Sequence, residues 1–501
     1  MSDQATNDPI RAQRACYFCH KRKIKCNRET PECSACKRHQ RVCSYKNNTL
    51  DLISDQNTTS STAITVEEPP ALQPGQSPRD RTSVACRFLD HEVFQRSKAR
   101  LSILPVPNFI PSYVRPFMGD NTGLQRIATR YYQCVHPWLP IISKRKVYDQ
   151  LLNPLSPLRT DAVFLCLCMD LFSPLQNDNP WTPLYSTIRR LFTEMQVAGI
   201  LSMETLQGCI LLAVYEIGHA MYPAVQVSIG LCLKYSLALG IGWTSSVDGP
   251  ISDTPWVEAE ERRRTWWAIF MLERIANLGN PRQELLVSEP ALTEQLPCQE
   301  KEWDYGGYKN VFSTLSAPPE SLGRYANVVQ AGYLLGRVLR HDLYMSIDIE
   351  LRKEEVSQLE KTLHALISYS ESNAGTTYSI ICYQTAISFC ALLTLYAPYL
   401  SHEEPNLRER ANAVSNDAAS FALAVAEEYM ETESVDLTHG DIPPFVLHWF
   451  YLAGVRFIIT SQLRGLGVIE TALEKLNAKW KSAGIYLELL AARRIMDSIP
   501  T

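Results

Sequence analysis

Six cysteines, Cys16, Cys19, Cys26, Cys33, Cys36 and Cys43, spell the pattern C-x2-C-x6-C twice with a shift of 17 residues, and this duplication constrains the amino-terminal segment more than any other feature of the chain. A stretch this short cannot bury enough apolar surface to fold unaided, so something must hold its thiols together. The residues before Cys16 include no apolar h-region of a secretion signal. The thiols are therefore expected to meet a reducing compartment, where closely spaced cysteines serve as metal ligands more often than as disulfides. RING and LIM arrangements use longer spacings and usually histidine. A metallothionein lacks dense Lys and Arg and has no large attached domain.

Ligand arithmetic sharpens the expectation. A tetrahedral zinc needs four ligands, so one ion leaves two cysteines over, whereas two ions need more places than six thiolates offer unless two of them bridge. The repeat makes Cys16 and Cys33, the first cysteine of each half, the equivalent pair for bridging. One ion is then expected on Cys16, Cys19, Cys26 and Cys33, and the other on Cys33, Cys36, Cys43 and Cys16, with metal binding and folding a single event.

Charge divides the chain into unlike parts. Residues 11–46 hold eleven Lys or Arg against Glu29 and Glu32, a formal +9, while the whole chain carries −4, which leaves −13 on the remainder. Six thiolates with two Zn2+ would leave the segment near +7, a compact polycation. In "HKRKIK" the donors Lys21, Arg22, Lys23 and Lys25 follow Cys19 on what should be a short helix held at both ends by metal ligands. Guanine offers O6 and N7 in the major groove, and Lys and Arg are the usual donors to them, while other cations meet phosphates.

The stretch "CYFCHKRKIKCNRETPECSACKRHQRVC" resembles the fungal six-cysteine binuclear zinc cluster, the DNA-binding domain of a large transcription-factor family, and Pro31 stands where that family places a loop proline. The resemblance implies that Lys23, with Arg22 beside it, reads the guanines of a CGG triplet, that Lys25 fills a basic family position, and that Lys37, Arg38 and Arg41 touch phosphates. His20 stands where Arg is usual and Asn27 where Asp is common. Three later stretches, "VHPWLPIISKRKVYDQLL", "LLAVYEIGHAMYPAVQVSIG" and "EERRRTWWAIFMLERIANLGNP", resemble the regulatory middle region of the same family, with Glu273 and Arg274 in place of a frequent Asp-Arg. The family implies a nuclear regulator of RNA polymerase II genes that binds double-stranded DNA and contacts the transcription machinery or coactivators. Its closest flavour is that of regulators of secondary-metabolite gene clusters. A regulator of nutrient or primary-metabolic genes is the runner-up, and a zinc-cluster docking module on an effector-binding protein is the third reading.

The expected fold class is mostly α: a disordered tail at 1–13, the zinc cluster at 14–46, a flexible linker at 47–95, and an all-α regulatory domain at 96–501. Residues 46–80 contain no aromatic side chain and four prolines, a composition that cannot support a core. Leu50, Leu52 and Ile53 are too few for a zipper after the cluster, so any homodimer is expected to form through the helical body. "SIICYQTAISFCALLTLYAPYL" is long enough to span a bilayer, yet its Gln384, Thr385 and Ser388 point to a buried core helix, and no membrane partner is expected. The other nine cysteines are expected to be buried free thiols.

No enzyme is expected either. There is no G-x-S-x-G, Walker loop or Rossmann fingerprint, and His136 and His219 lack neighbouring ligands at metal spacing. Glu260 and Arg264 form an i,i+4 pair on a helix, with Trp266 and Trp267 placed to pack. The segment "EEYMETESVDLTHGD", residues 427–441, mixes six carboxylates with apolar residues and is expected to be an exposed helix end and loop rather than an activating segment.

Overall fold

The structure is a computed structural model that describes residues 15–30, 32–39, 43, 89–90, 106–119, 121–153, 155–173, 179–243, 255–280, 283–305, 312–343, 349–372, 382–431 and 442–498. The chain separates into two units, one through Glu67 and one from Glu68 onward. The expected tail at 1–13, and the expected linker apart from Leu89 and Asp90, lie outside the described residues.

In the amino-terminal unit the sequence repeat is a structural repeat. Helix α1 (Tyr17–Arg22) starts one residue after Cys16, and α2 (Ser34–Arg38) one residue after Cys33. The Sγ of Cys33 accepts from the N–H of Cys36 at 3.4 Å, so this cysteine caps its own helix.

The second unit is helical, and among its described residues an isolated bridge between Gln295 and Thr314 takes the place of any strand. Its main helices are α3 (Asn121–Cys134), α4 (Thr160–Asp170), α5 (Pro183–Val197), α6 (Met203–Gly218), α7 (Ala224–Ala238), α8 (Trp256–Ala276) and α9 (Glu300–Tyr305). They are followed by α10 (Arg324–Leu343), α11 (Ile349–Ser372), α12 (Cys382–Tyr396), α13 (Pro405–Glu431), α14 (Val446–Ile459), α15 (Leu463–Leu476) and α16 (Ser482–Ser498).

Local chemistry sets several of the starts. Thr182 Oγ1 accepts from the N–H of Tyr185 at 3.0 Å with Pro183 in the first turn, and Ser202 Oγ accepts from the N–H of Thr205 at 3.1 Å. Pro223 ends the α6–α7 connection at the expected break.

Helices without a polar face fill the interior. Every residue of α4 from Thr160 to Met169 is buried, and α6 packs against α4, α7 and α8. Helix α12 packs against α10, α11, α13 and α14. Its polar groups are satisfied within the protein: Gln384 donates to the carbonyl of Leu366 at 3.0 Å and Ser388 to that of Gln384 at 2.9 Å, while Thr385 bonds Ser370 Oγ at 3.1 Å. No described helix is long and apolar enough to cross a membrane.

Buried charge holds these layers in register. Glu260 and Arg264 pair at 2.7 Å with both side chains fully buried, not on a helix surface as the i,i+4 spacing alone suggests. Arg264 also donates to the carbonyl of Cys298 at 2.7 Å and lies 4.3 Å over Trp303, and Glu260 accepts from the N–H of Cys298 at 2.8 Å. Glu261 accepts from Ser143 N, Gln207 and Lys146, joining α8 to α6 and to the 143–146 turn. Glu273 accepts from the N–H of Val287 at 3.1 Å, and Arg274 donates to the carbonyl of the same residue at 2.9 Å while stacking on Phe270. Trp266 and Trp267 pack edge-on against Trp243 as expected.

Candidate metal centre and nucleic-acid interface

The six sulfurs of the amino-terminal unit meet in two overlapping groups. Cys16, Cys19, Cys26 and Cys33 form one, Cys16, Cys33, Cys36 and Cys43 the other, and within each group the Sγ atoms lie within 4.8 Å of one another. Cys16 and Cys33 are the shared members. Their Sγ atoms are 3.7 Å apart, with Cys16–Cys36 at 3.5 Å and Cys19–Cys33 at 3.6 Å.

These separations fit a tetrahedral zinc, whose ~2.3 Å bonds to sulfur place neighbouring sulfurs about 3.8 Å apart. They do not fit disulfides: all six thiols are free. Burial, then the adjacent thiols, pushes Cys19 up to about 12 and raises Cys36 further. Burial acts on Cys33 in the same sense, but the N–H of Cys36 and the neighbouring thiols outweigh it and hold Cys33 down at about 6. Six sulfur ligands crowded this closely are a donor set for a soft, doubly charged ion. The backbone supplies support around them, since Cys43 Sγ accepts from the N–H of Cys33 at 3.3 Å.

The cations are placed differently from a simple basic helix. Helix α1 ends at Arg22, and Lys23 follows in the left-handed region with φ 53. The N–H of Lys23 bonds the carbonyl of His20 and that of Ile24 the carbonyl of Cys19, which is a Schellman ending with Lys where glycine is usual. Lys25 therefore lies beyond the helix, because the chain must turn here to bring Cys26 back to the sulfurs. Arg22, Lys23 and Lys25 are all exposed, as are Lys37 and Arg38 at the end of α2. Lys21 sits on α1, and Arg41 lies outside the described residues.

One contributor was noted in the sequence only as a departure. Asn27 Oδ1 accepts from the N–H of Ser34 at 2.9 Å, at the first turn of α2, and so links the two halves. The readable signal was its type, since Asn and Asp accept from helix-start amides. A neutral Asn does this without adding negative charge beside the cations.

In the body, His136 has no neighbour at metal-ligand spacing in the sequence, but the fold brings it partners from far along the chain. Its Nε2 lies 3.5 Å from Asp304 and its ring stacks on Trp303, partners 167 and 168 positions away that no spacing could reveal. His219 is buried between Tyr215 and Trp480. Cys134, Cys166, Cys168, Cys209, Cys232 and Cys390 are buried as expected, Cys298 is only partly so, and nothing is described for the side chains of Cys86 and Cys382. Of the acidic segment, 427–431 ends α13, while 432–441 lie outside the described residues.

The model of the fungal Zn(2)-Cys(6) binuclear cluster domain matches residues 14–51, and that of the fungal specific transcription factor domain matches residues 128–377. Transcription factor BOA15 of Botryotinia fuckeliana is 31% identical over 179 residues, covering 35% of this chain and 97% of that protein. The chain belongs to the fungal Zn(2)-Cys(6) transcription factors.

Its amino-terminal unit is thus a zinc-binding, DNA-binding module, and its helical body carries the fungal specific transcription factor domain over residues 128–377. Among this transcription factor's relatives, the pigment biosynthesis transcriptional activator pigB of Monascus ruber is 24% identical across 97% of this chain and 95% of its own length. The azaphilone cluster-specific transcription factor azaR of Aspergillus niger is 24% identical over 42% of this chain and 48% of its own length. Both are named as regulators of metabolite pathways.

Proposed function

We propose that this Zn(2)-Cys(6) protein is a nuclear, non-enzymatic regulator of RNA polymerase II genes that reads CGG-type triplets and activates a secondary-metabolite gene cluster. Two zinc ions per chain are held by Cys16, Cys19, Cys26 and Cys33 and by Cys33, Cys36, Cys43 and Cys16. Lys23 donates to guanine, with Arg22, Lys21 and Lys25 beside it, while Lys37, Arg38 and Arg41 meet phosphates. The cluster lies within 14–46 and the regulatory body within 96–501, through which the protein forms a homodimer and contacts coactivators.

The observation that carries this reading is the pair of four-sulfur groups sharing Cys16 and Cys33 beneath an exposed cationic turn. The pathway-specific relatives support the target class.

Position 23 offers a clean test. Because its backbone is left-handed, glycine is favoured there, so Lys23→Gly removes the amine without disturbing the turn. It should cost about 1 to 3 kcal/mol on a CGG site and flatten the preference among triplets. Lys37→Ala should weaken all sequences alike. Unchanged triplet preference in Lys23→Gly, measured by competition binding, would refute the assignment, and a zinc-to-protein ratio near one would refute the bridged pair.

A further inference from the structure

Helix α16 is bound to the body along one side. Leu490 and Ala483 are fully buried, and Gly454 of α14 lies so near that a Cβ there would come within 2.8 Å of Leu490. Tyr486 bonds His448 at 3.2 Å and stacks on Tyr451, and Arg494 pairs with Glu470 of α15 at 3.0 Å. The helix is therefore held in one rotation through Leu490, while residues 491–496, anchored by the Arg494–Glu470 pair, are all exposed.

That rotation turns an apolar stripe outward. Ile485 is 44% exposed, Leu489 42% and Met496 63%, with exposed Ala492 completing the row. The steps of four, three and four residues are those of the a and d positions of a coiled coil, and at about 100° per residue the stripe lies some 140° around the helix from Leu490. Exposed apolar side chains scattered singly need no explanation, whereas a row in heptad register marks an interaction surface.

The charges beside the stripe point to what covers it. With Leu489 and Met496 as a positions, Glu488 is g and Arg493 is e, one on each flank. Both are exposed, and neither forms an ion pair among the described residues. In a parallel two-stranded pairing, g of one helix faces the e position five residues further along the other. Glu488 and Arg493 differ by five. A two-fold axis along α16 would thus bring each Glu488 to the Arg493 of the other copy, twice over, whereas an antiparallel pairing would set g against g and e against e. The complementarity is to itself.

We propose that α16 is the homodimerisation helix: two copies of the chain pair α16 in parallel, with Ile485, Leu489, Ala492 and Met496 in the seam and Glu488 of each copy against Arg493 of the other. This deepens the reading of a body-mediated dimer and rests on it. The seam is about two heptads long, so pairing is reversible and responds to protein concentration.

Sedimentation velocity of the full zinc-loaded chain over a range of concentrations tests this. The unaltered protein should shift from monomer to dimer, and Leu489→Glu should weaken the dimer about tenfold or more, with helix content unchanged by circular dichroism. Glu488→Arg and Arg493→Glu should each weaken it roughly three- to tenfold, and the double exchange should restore it. Ala492→Cys should give a covalent dimer under mild oxidation that the unaltered chain does not.

Persistence of the monomer at all concentrations would overturn the proposal. So would single exchanges without effect, or a double exchange no better than the singles, which would indicate a different occupant such as another protein or another segment of this chain. Triplet preference on a single half-site, measured for the same variants, keeps the readings apart. Its retention alongside a failed dimer test removes only the α16 assignment, whereas its loss in the α16 variants would overturn the assignment of α16 to pairing alone.

Discussion

The two units of this protein hold themselves together by opposite uses of charge. In the amino-terminal unit the cations are exposed and the interior is sulfur: Arg22, Lys23, Lys25, Lys37 and Arg38 face outward around buried Cys16, Cys19, Cys33 and Cys36. In the body the informative charges are interior, as with Glu260, Arg264, Glu273 and Arg274, each 3% exposed or less. A cation kept in solvent is available to a phosphate or a guanine. One buried against a carboxylate and two backbone carbonyls is committed to the fold.

If that contrast is right, removing zinc should separate the units most strongly. Structural zinc in small modules contributes about 10 to 16 kcal/mol of apparent binding energy at pH 7, all of it folding energy. Chelation is therefore expected to abolish DNA binding and unfold residues 14–46, while the helical signal of the body in far-UV circular dichroism stays within a few per cent of its starting value. Simultaneous collapse of the body would break the comparison.

A smaller effect probes the other side. Arg264→Ala takes from buried Glu260 its fully buried partner, leaving it Arg263 and the N–H of Cys298, and strips Trp303 of its stacked guanidinium, so it should destabilise the body by about 2 to 4 kcal/mol, somewhat less than the loss of a sole partner. Denaturant unfolding followed by tryptophan fluorescence reads this, and zinc content should remain that of the unaltered protein. A change below 1 kcal/mol would mean that the buried pair is not holding the 298 loop.

The smallest expected effect is pH dependence. Burial, then Lys481, holds His219 down at about 3, and burial holds His448 at about 4. Both lie below the ordinary value of 6.5, so the unfolded chain binds more protons once the pH drops below it. The stability these neutral rings confer is complete above about pH 6.5 and drains away toward their folded values, by about 1 to 2 kcal/mol apiece at pH 5. Thermal unfolding at pH 7 and pH 5, read by Trp480 beside His219, should show this loss, and His219→Gln should reduce it.

Much of this was readable from residue order. The ligand grouping, the duplicated halves, the core nature of α12 and the break at Pro223 all follow from spacings of a few residues or from composition within one helix. Less was readable where partners come from distant segments. Lys23 looked like one more residue of a basic helix, yet it sits past the helix end, because Cys26 must return to the sulfurs. Glu260 and Arg264 have a spacing that is the same whether they face water or the interior, and only the 298 loop and Trp303 decide that they are buried.

The sequence by itself determined which six sulfurs meet and the excess of cations around them, since that grouping is set by spacing within about 30 residues and suits the strong, directional bonds of a metal to sulfur. The tertiary structure alone decided which ion pairs are buried, that His136 meets Asp304, and that α16 turns Leu489 and Met496 outward. Those outcomes are fixed by many weak contacts between segments far apart in the chain, and each contact exists only once the helices have found their neighbours.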